Sequence, residues 1–206
     1  IKNTGKYAAV TYVQSDGYKV SAGDPKDTEV AEYMLNAYEG ENPTDVLYAY
    51  ISEFSHSDKV KEVTFTVTIP MQNNRDEVLG YIIMEPYLNV VIKNVERALA
   101  NANIYYELMT IEGSDAVYVY SDIDKERGAE FMTLTEVQGS EITRELVDSD
   151  ESSGSYASID GQSYFNKFDM PVSNYYGEKH TYFSPGTYVY VLTLPTEYYN
   201  DITKLD

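Results

Sequence analysis

The 206 residues are enough for one large domain or two small ones of about 100 residues each, and a hydrophobic fraction of 43% with 14% aromatics excludes a disordered chain. The formal net charge of −19 argues against nucleic acid and anionic lipid as partners. The absence of cysteine rules out a disulfide framework and thiolate metal sites, while leaving open both the cytosol and the exterior of a Gram-positive anaerobe.

The first apolar run, Lys6 to Gln14, is followed by Ser15-Asp16-Gly17 and then YKVSA. Asp-Gly between two β-prone runs predicts a hairpin. From Asp27 the apolar positions Val30, Tyr33, Met34, Ala37 and Tyr38 fall at helical spacing, and Gly40 closes the stretch. Asn42-Pro43 opens a second predicted helix, since proline loses nothing at the first helical position; its apolar residues are Val46, Leu47, Tyr50, Ile51 and Phe54. VTFTVTIP, Val63 to Pro70, alternates apolar residues with threonines, the period of a half-buried strand. Asn73 to Asp76 make a turn, and VLGYIIME, Val78 to Glu85, is the return strand. Pro86 then begins a helix to about Asn101, with Leu88, Val91, Ile92, Val95 and Leu99 as its stripe.

The plan then repeats. IYYELMTI, Ile104 to Ile111, turns at Glu112-Gly113-Ser114 and returns as AVYVYS. Asp122 to Glu130 and Glu141 to Val147 are short helix candidates. Ser155 to Ile159, a turn at Asp160-Gly161, and QSYFNKFDMPV form another hairpin. Ser173 to Ser184 reads as a polar loop, Gly186 to Pro195 as a long final strand, and TEYYNDITKL as a terminal helix. Both LGYIIMEPYL and GTYVYVLTLPTEYY run strand into proline into helix, where proline's fixed φ and missing N–H suit both jobs. A duplicated unit of about 100 residues accounts for this order, with the division expected at 1–102 and 103–206.

The layout resembles the double Cache (PAS-like) sensor domains of bacterial signal-transduction receptors. The resemblance covers nearly the whole chain and rests on AVTYVQSDGYKVSA, TVTIP, DEVLGYIIMEPYL and SIDGQSYF…MPV…GTYVYVLTLP, the third being similar to the family's dGkviGvvgvDi strand on the ligand-facing sheet. It implies an α/β (α+β) fold of two tandem modules, each an antiparallel sheet flanked by helices. It also implies a small-molecule ligand bound in the membrane-distal module, no enzymatic activity, no cofactor, and a position on the extracellular side of a bacterial membrane. Ile1 opens almost inside the first strand, which suggests a fragment lying between transmembrane helices. A homodimer is one candidate assembly. The family's amino-acid-binding subgroup grips the ligand carboxylate with Arg, Trp and Tyr. This chain has no Trp and no Arg between Ile1 and Asn74, so that clamp does not carry over. Glu85 does correspond to the family's pocket Asp, which holds a ligand amine.

Glu85 also stands out on its own residues. It is the one charge ending an otherwise apolar strand, and on a period of two it shares a face with Leu79, Tyr81 and Ile83. A carboxylate on a sheet face needs a donor or a cation. It either reaches water, caps the following helix, or meets a ligand. Tyr81 either packs in the core or lines the pocket. Tyr48 and Tyr50, placed on the predicted second helix, are candidates to cover the sheet.

Other chemistry is not indicated. His56 and His180 stand alone in what read as polar loops, and no zinc, nucleophile-elbow, phosphate-loop or dinucleotide motif occurs. Asp122-x-Asp124-x-Glu126-x-Gly128 and Asp148-x-Asp150-x-Ser152-x-Gly154 resemble calcium loops, but the glycine falls late and the closing Glu is missing. Two other readings remain: a surface-protein adhesion module, with sandwich-like strands and no helix over 86–101, and a hydrolase working through paired carboxylates.

Overall fold

The computed structural model describes residues 5–26, 29–30, 46–52, 54–57, 62–75, 77–99, 102–170, 173–176, 179–183 and 186–195. The chain divides into two compact units, residues 1–90 with 170–185 and residues 91–169 with 186–206. The cut expected at 102/103 differs from this division in two places: 91–102 groups with the second unit, and 170–185 with the first.

In the first unit, β1 (Tyr7–Gln14), β2 (Lys19–Gly23), β3 (Val46–Ile51), β6 (Val67–Gln72), β7 (Val78–Pro86), β12 (Ser173–Tyr176) and β13 (Lys179–Phe183) form one sheet in the order β12-β13-β3-β6-β7-β1-β2. Every neighbouring pair is antiparallel except β13 and β3, which run parallel. A separate ribbon pairs β4 (Ser55–Ser57) with β5 (Glu62–Thr64). The Asp-Gly hairpin is present: Gln14 N–H and Gly17 N–H close the turn on Tyr18 O and Gln14 O at 2.8 and 2.9 Å. Gly80 is required by close approach, because a Cβ there would lie 2.4 Å from the Val13 carbonyl oxygen.

Two expectations are corrected here. Residues 46–51 are strand, not the second half of a helix. VLYAYI is a short run of β-branched, aromatic and aliphatic residues, and periodicity alone does not separate a buried strand from a helix in so few residues; pairing with β6 and β13 decides it. Within Ser173 to Ser184, β12 and β13 form a hairpin on the edge of the first sheet instead of a polar loop. Tyr175, Tyr176, Thr181, Tyr182 and Phe183 are β-prone residues in an otherwise polar segment, and the parallel partner β3 lies in the other half of the chain. The helix predicted from Asp27 to Gly40 and the terminal helix over 196–205 lie outside the described residues, apart from residues 29–30.

After β7, Tyr87 makes a single bridge to Thr64 and helix α1 (Leu88–Leu99) begins. Leu88 and Ile92 are buried while Val91 and Val95 are exposed, so its apolar stripe is narrower than the sequence suggested. A helix in this position and the three helices that follow are features the adhesion-module reading lacks.

The second unit holds a five-stranded, wholly antiparallel sheet in the order β10-β11-β14-β8-β9. Its strands are β8 (Tyr105–Glu112), β9 (Asp115–Ser121), β10 (Ser153–Ser158), β11 (Gly161–Asp169) and β14 (Thr187–Pro195). Helices α2 (Lys125–Ala129), α3 (Leu134–Gln138) and α4 (Ser140–Val147) pack on β9. Gly128 permits this approach, since a Cβ would lie 2.9 Å from Tyr120 Cα. The core is Met109, Tyr118, Leu134, Leu146, Phe165, Val189 and Val191, with Met132 and Ile142 beside it. Helix α3 was not foreseen, although its signal was present. Thr133 Oγ1 accepts from Glu136 N–H and the Glu136 carboxylate accepts from Thr133 N–H, a capping box readable from T-L-T-E. Asp124 is the N-cap of α2, and Asp122 accepts a 2.6 Å hydrogen bond from Tyr106 N–H.

Candidate functional site

Register places one face of the first sheet with certainty. Tyr50 lies opposite Thr68, Thr68 opposite Ile83, Ile83 opposite Thr11, and Thr11 opposite Ser21. Residues directly opposite in neighbouring strands project to the same side, so this row crosses five strands on one face. Tyr81 and Glu85 flank Ile83 at two residues either way and therefore share that face. By the ordinary strand rise they stand roughly 13 Å apart.

The face is buried and yet polar. Thr11, Thr64, Thr68 and Glu85 are all among the buried residues, beside Ala9, Val13, Tyr81 and Ile83. Of VTFTVTIP, Thr64, Phe65 and Thr68 are buried while Thr66, Val67 and Ile69 are half-buried, because the chain leaves β5 after Thr64 and enters β6 at Val67, and the alternation does not run through unbroken. Thr11 and Ser21 hydroxyls are hydrogen-bonded at 2.8 Å.

Glu85 is 2% exposed, so it neither reaches water nor caps α1. Its Oε1 accepts from the Thr64 hydroxyl at 2.9 Å and its Oε2 from the Lys26 backbone N–H at 3.0 Å. Both donors are neutral, and among the described residues no cationic side chain pairs with it. The Lys26 ammonium donates instead to the Ser55 hydroxyl. The surroundings are acidic. The Tyr87 hydroxyl is held above its ordinary range by burial first, then by the negative charges of Glu62, Glu85 and Asp24. Glu62 is itself tied down by Asn89, whose amide donates to it at 2.9 Å.

Of the residues singled out from the sequence, Glu85, Tyr81 and Tyr50 come to this one face. Tyr81 is buried and Tyr50 half-buried. Tyr50 arrives on a strand, not a helix. Tyr48 falls in the same strand where β3 slips register against β13, between the pairs Leu47–His180 and Ala49–Thr181; its side chain lies outside the described residues. The threonines were missed as site residues. Their alternation was visible, but which face points inward is settled only by what the face packs against. A buried carboxylate held by one hydroxyl and one backbone N–H, with further negative charge nearby, has the chemistry to take up a cationic, hydrogen-bond-donating group. His56 and His180 lie on separate strands, β4 and β13, and among the described residues no group of His, Asp and Glu is arranged to hold a metal ion.

No protein-family model matches the sequence, and no curated protein sequence matches it. Solved structures do. The ligand-binding domain of the Pseudomonas aeruginosa amino acid chemoreceptor PctB, in complex with L-Arg, superposes with a TM-score of 0.52 at 12% identity, covering 93% of this chain and 72% of that one. An extracellular ligand-binding receptor from Desulfohalobium retbaense gives a TM-score of 0.52 at 13% identity, covering 93% of this chain but only 31% of the receptor. The chain has the fold of these sensor domains, the α+β arrangement that the sequence resemblance implied. Among the described residues no helix is long and apolar enough to cross a membrane.

Proposed function

We propose that this chain is the extracellular ligand-sensing domain of a bacterial transmembrane receptor, and that its first module binds a small molecule carrying an amine, with Glu85 as the counter-charge and Tyr81, Tyr50 and Tyr48 in the pocket wall. The observation that carries the reading is Glu85 itself: a carboxylate 2% exposed, held among the described residues by neutral donors, on a buried sheet face that carries threonines. Burying a charge without a counter-ion is costly, and a ligand ammonium group would supply the missing partner. The fold shared with the PctB domain, a chemoreceptor domain crystallised with an amino acid, supports the sensing role.

The mechanism is a shift of populations. A ligand that prefers one conformation of the first module, residues 1–102 in the sequence division, moves the equilibrium by its differential affinity and no more. The second module, residues 103–206, would pass the bias to a membrane helix. We further propose that membrane helices flank this chain in the intact protein and that a homodimer is its candidate assembly, which cross-linking in membranes tests. No step of this reading calls for catalysis.

A thermal-shift screen of amines, amino acids, organic acids and sugars tests it. At a hundredfold excess over Kd a ligand stabilises by about 2.7 kcal/mol, a rise of several degrees that is easily read. The expected result is stabilisation by amine-bearing compounds that disappears in Glu85→Gln, with the unliganded variant melting close to the parent. A Glu85→Gln protein that binds as tightly as the parent removes Glu85 from the site. Stabilisation by no compound in the panel removes the sensing role.

A further inference from the structure

Glu85 is 2% exposed, so whatever reaches its carboxylate does so only after a neighbouring segment moves. The register shows what surrounds it. Gly23 on the edge strand β2, Ala9 on β1 and Glu85 on β7 stand opposite one another in one row across the sheet, and opposite residues project to the same face. At Gly23 the chain leaves β2. Its φ of +96° lies in the region that favours glycine, and a Cβ there would lie 2.2 Å from the Ala8 carbonyl oxygen. Three residues later the Lys26 N–H donates to Glu85 Oε2 at 3.0 Å. Three residues reach at most about 10 Å, roughly the width of two strand spacings. Residues 24–26 therefore cross from the sheet edge to Glu85 by a direct path along the row, over Ala9. Alanine suits the crossing, because its side chain is a single methyl; it is 1% exposed.

The far end of this crossing is fastened twice. Besides the N–H on Glu85, the Lys26 ammonium donates to the Ser55 hydroxyl on β4. Ser55 stands opposite Thr64, whose hydroxyl holds the other oxygen of Glu85 at 2.9 Å. Glu85, Lys26, Ser55 and Thr64 thus close a circuit, and its members differ in how their backbone is held. β1 and β7 are interior strands of the sheet. Thr64 is bridged to Tyr87, and the Phe65 N–H donates to the Pro86 carbonyl at 3.4 Å, which ties β5 to the end of β7 through the backbone. Residues 24–26 belong to no strand or helix. Of these segments, theirs is the one that lifts without breaking a β-ladder.

We propose that residues 24–26 are a strap over the Glu85 site, hinged at Gly23, seated on Ala9 and fastened by Lys26, which lifts to admit a ligand and closes over it. Its purpose rests on the sensing role given above to Glu85, but its motion is measurable with no ligand present.

Amidation of carboxyl groups by glycinamide and a water-soluble carbodiimide, read site by site in mass spectrometry, reports how often each carboxylate meets solvent. In the parent, Glu85 should react far more slowly than the exposed Asp16. Ser55→Ala removes one fastening, worth about fivefold in the lifted population, so labelling of Glu85 should rise by about that factor. Ala9→Val fills the seat and should raise it as well. Amide exchange in β7 should stay at the parent rate in Ser55→Ala, because the sheet itself remains closed. Labelling of Glu85 at the parent rate in both variants overturns the proposal. So does labelling that rises only in step with β7 exchange, since the sheet would then be what opens. A strap that lifts as expected in a protein stabilised by no amine upholds the strap and removes the sensing role. Amine stabilisation with labelling unchanged in both variants removes the strap alone.

Discussion

Glu85 in the first unit and Glu107 in the second are both strand carboxylates, both almost fully buried, and they are held by different kinds of partner. Glu107 has its cation built in: Arg127 binds it from the covering helix α2 and is braced in turn by Asp160. Glu85 has a threonine hydroxyl and a backbone N–H. A buried charge whose counter-ion belongs to the fold is committed to the fold. One held only by neutral dipoles keeps most of its Coulombic attraction for a cation from outside. The contrast supports the proposal of an amine ligand in the first unit, and it gives the second unit an ion-pair network built from its own residues.

The largest way to break the comparison is Arg127→Met. It leaves buried Glu107 and half-buried Asp160 without their shared cation, and breaking a buried pair from one side costs about 3–5 kcal/mol, read as a fall in the urea midpoint. The loss should depend on pH. The Glu107 carboxyl already sits above its ordinary value of 4.5, through burial first, against the pull of Ser121 and Arg127. Because its folded value is raised, the unfolded chain releases this proton first, and the contribution to stability falls as pH climbs from 4.5 toward the raised value. Without Arg127 that window widens, so the difference between variant and parent should be larger at pH 8 than at pH 5. A loss independent of pH would mean that Glu107 is not the group left stranded.

Glu85→Ala comes next. It strips the acceptor from the Thr64 hydroxyl and the Lys26 N–H, and stranded buried donors cost about 1–3 kcal/mol each at most, so a total near 2–4 kcal/mol is expected in chemical denaturation. Glu85→Gln keeps an acceptor and should cost far less, the opposite of what a built-in ion pair would show. Gly128→Ala sharpens the other side of the contrast. Its Cβ meets the Tyr120 backbone and displaces α2, the carrier of Arg127, at about 1–3 kcal/mol. In the same variant the Tyr118 environment should change in near-ultraviolet circular dichroism. The smallest effect is Thr133→Ala, which removes the cap of α3 upstream of Gln138 and should lower the melting point by about 1 kcal/mol worth of stability; no change would show that the capping box is redundant with packing on β9.

Much of the fold was legible because it is written locally. Asp16-Gly17 announces its hairpin, Gly113 turns β8 into β9, and the strand–Pro86–helix sequence runs as expected. The misreadings share one cause. Residues 46–51 form an interior strand and 173–176 with 179–183 the edge hairpin of the same sheet, with 179–183 pairing in parallel to 46–51 across the two halves of the chain, and a pairing between such distant segments leaves no local signature in either. The same holds for the candidate site. Glu85 was conspicuous as a charge at the end of an apolar strand, and its face-mates Tyr81 and Ile83 follow from a period of two. The hydroxyls of Thr11, Thr64 and Thr68 could be placed opposite the valines, but whether that side faced the interior depended on packing.

By itself the amino-acid order determined the strands with strong turn chemistry, the helix after Pro86 and the placing of Glu85 at the end of an apolar strand, since each rests on residues near in sequence. Only the tertiary structure decided which segments enter which sheet, that Thr64 and Thr68 are buried, and that one buried carboxylate receives an arginine while the other, among the described residues, is held by neutral donors. Those outcomes hinge on burial and on partners supplied from distant parts of the chain, and no local pattern encodes either.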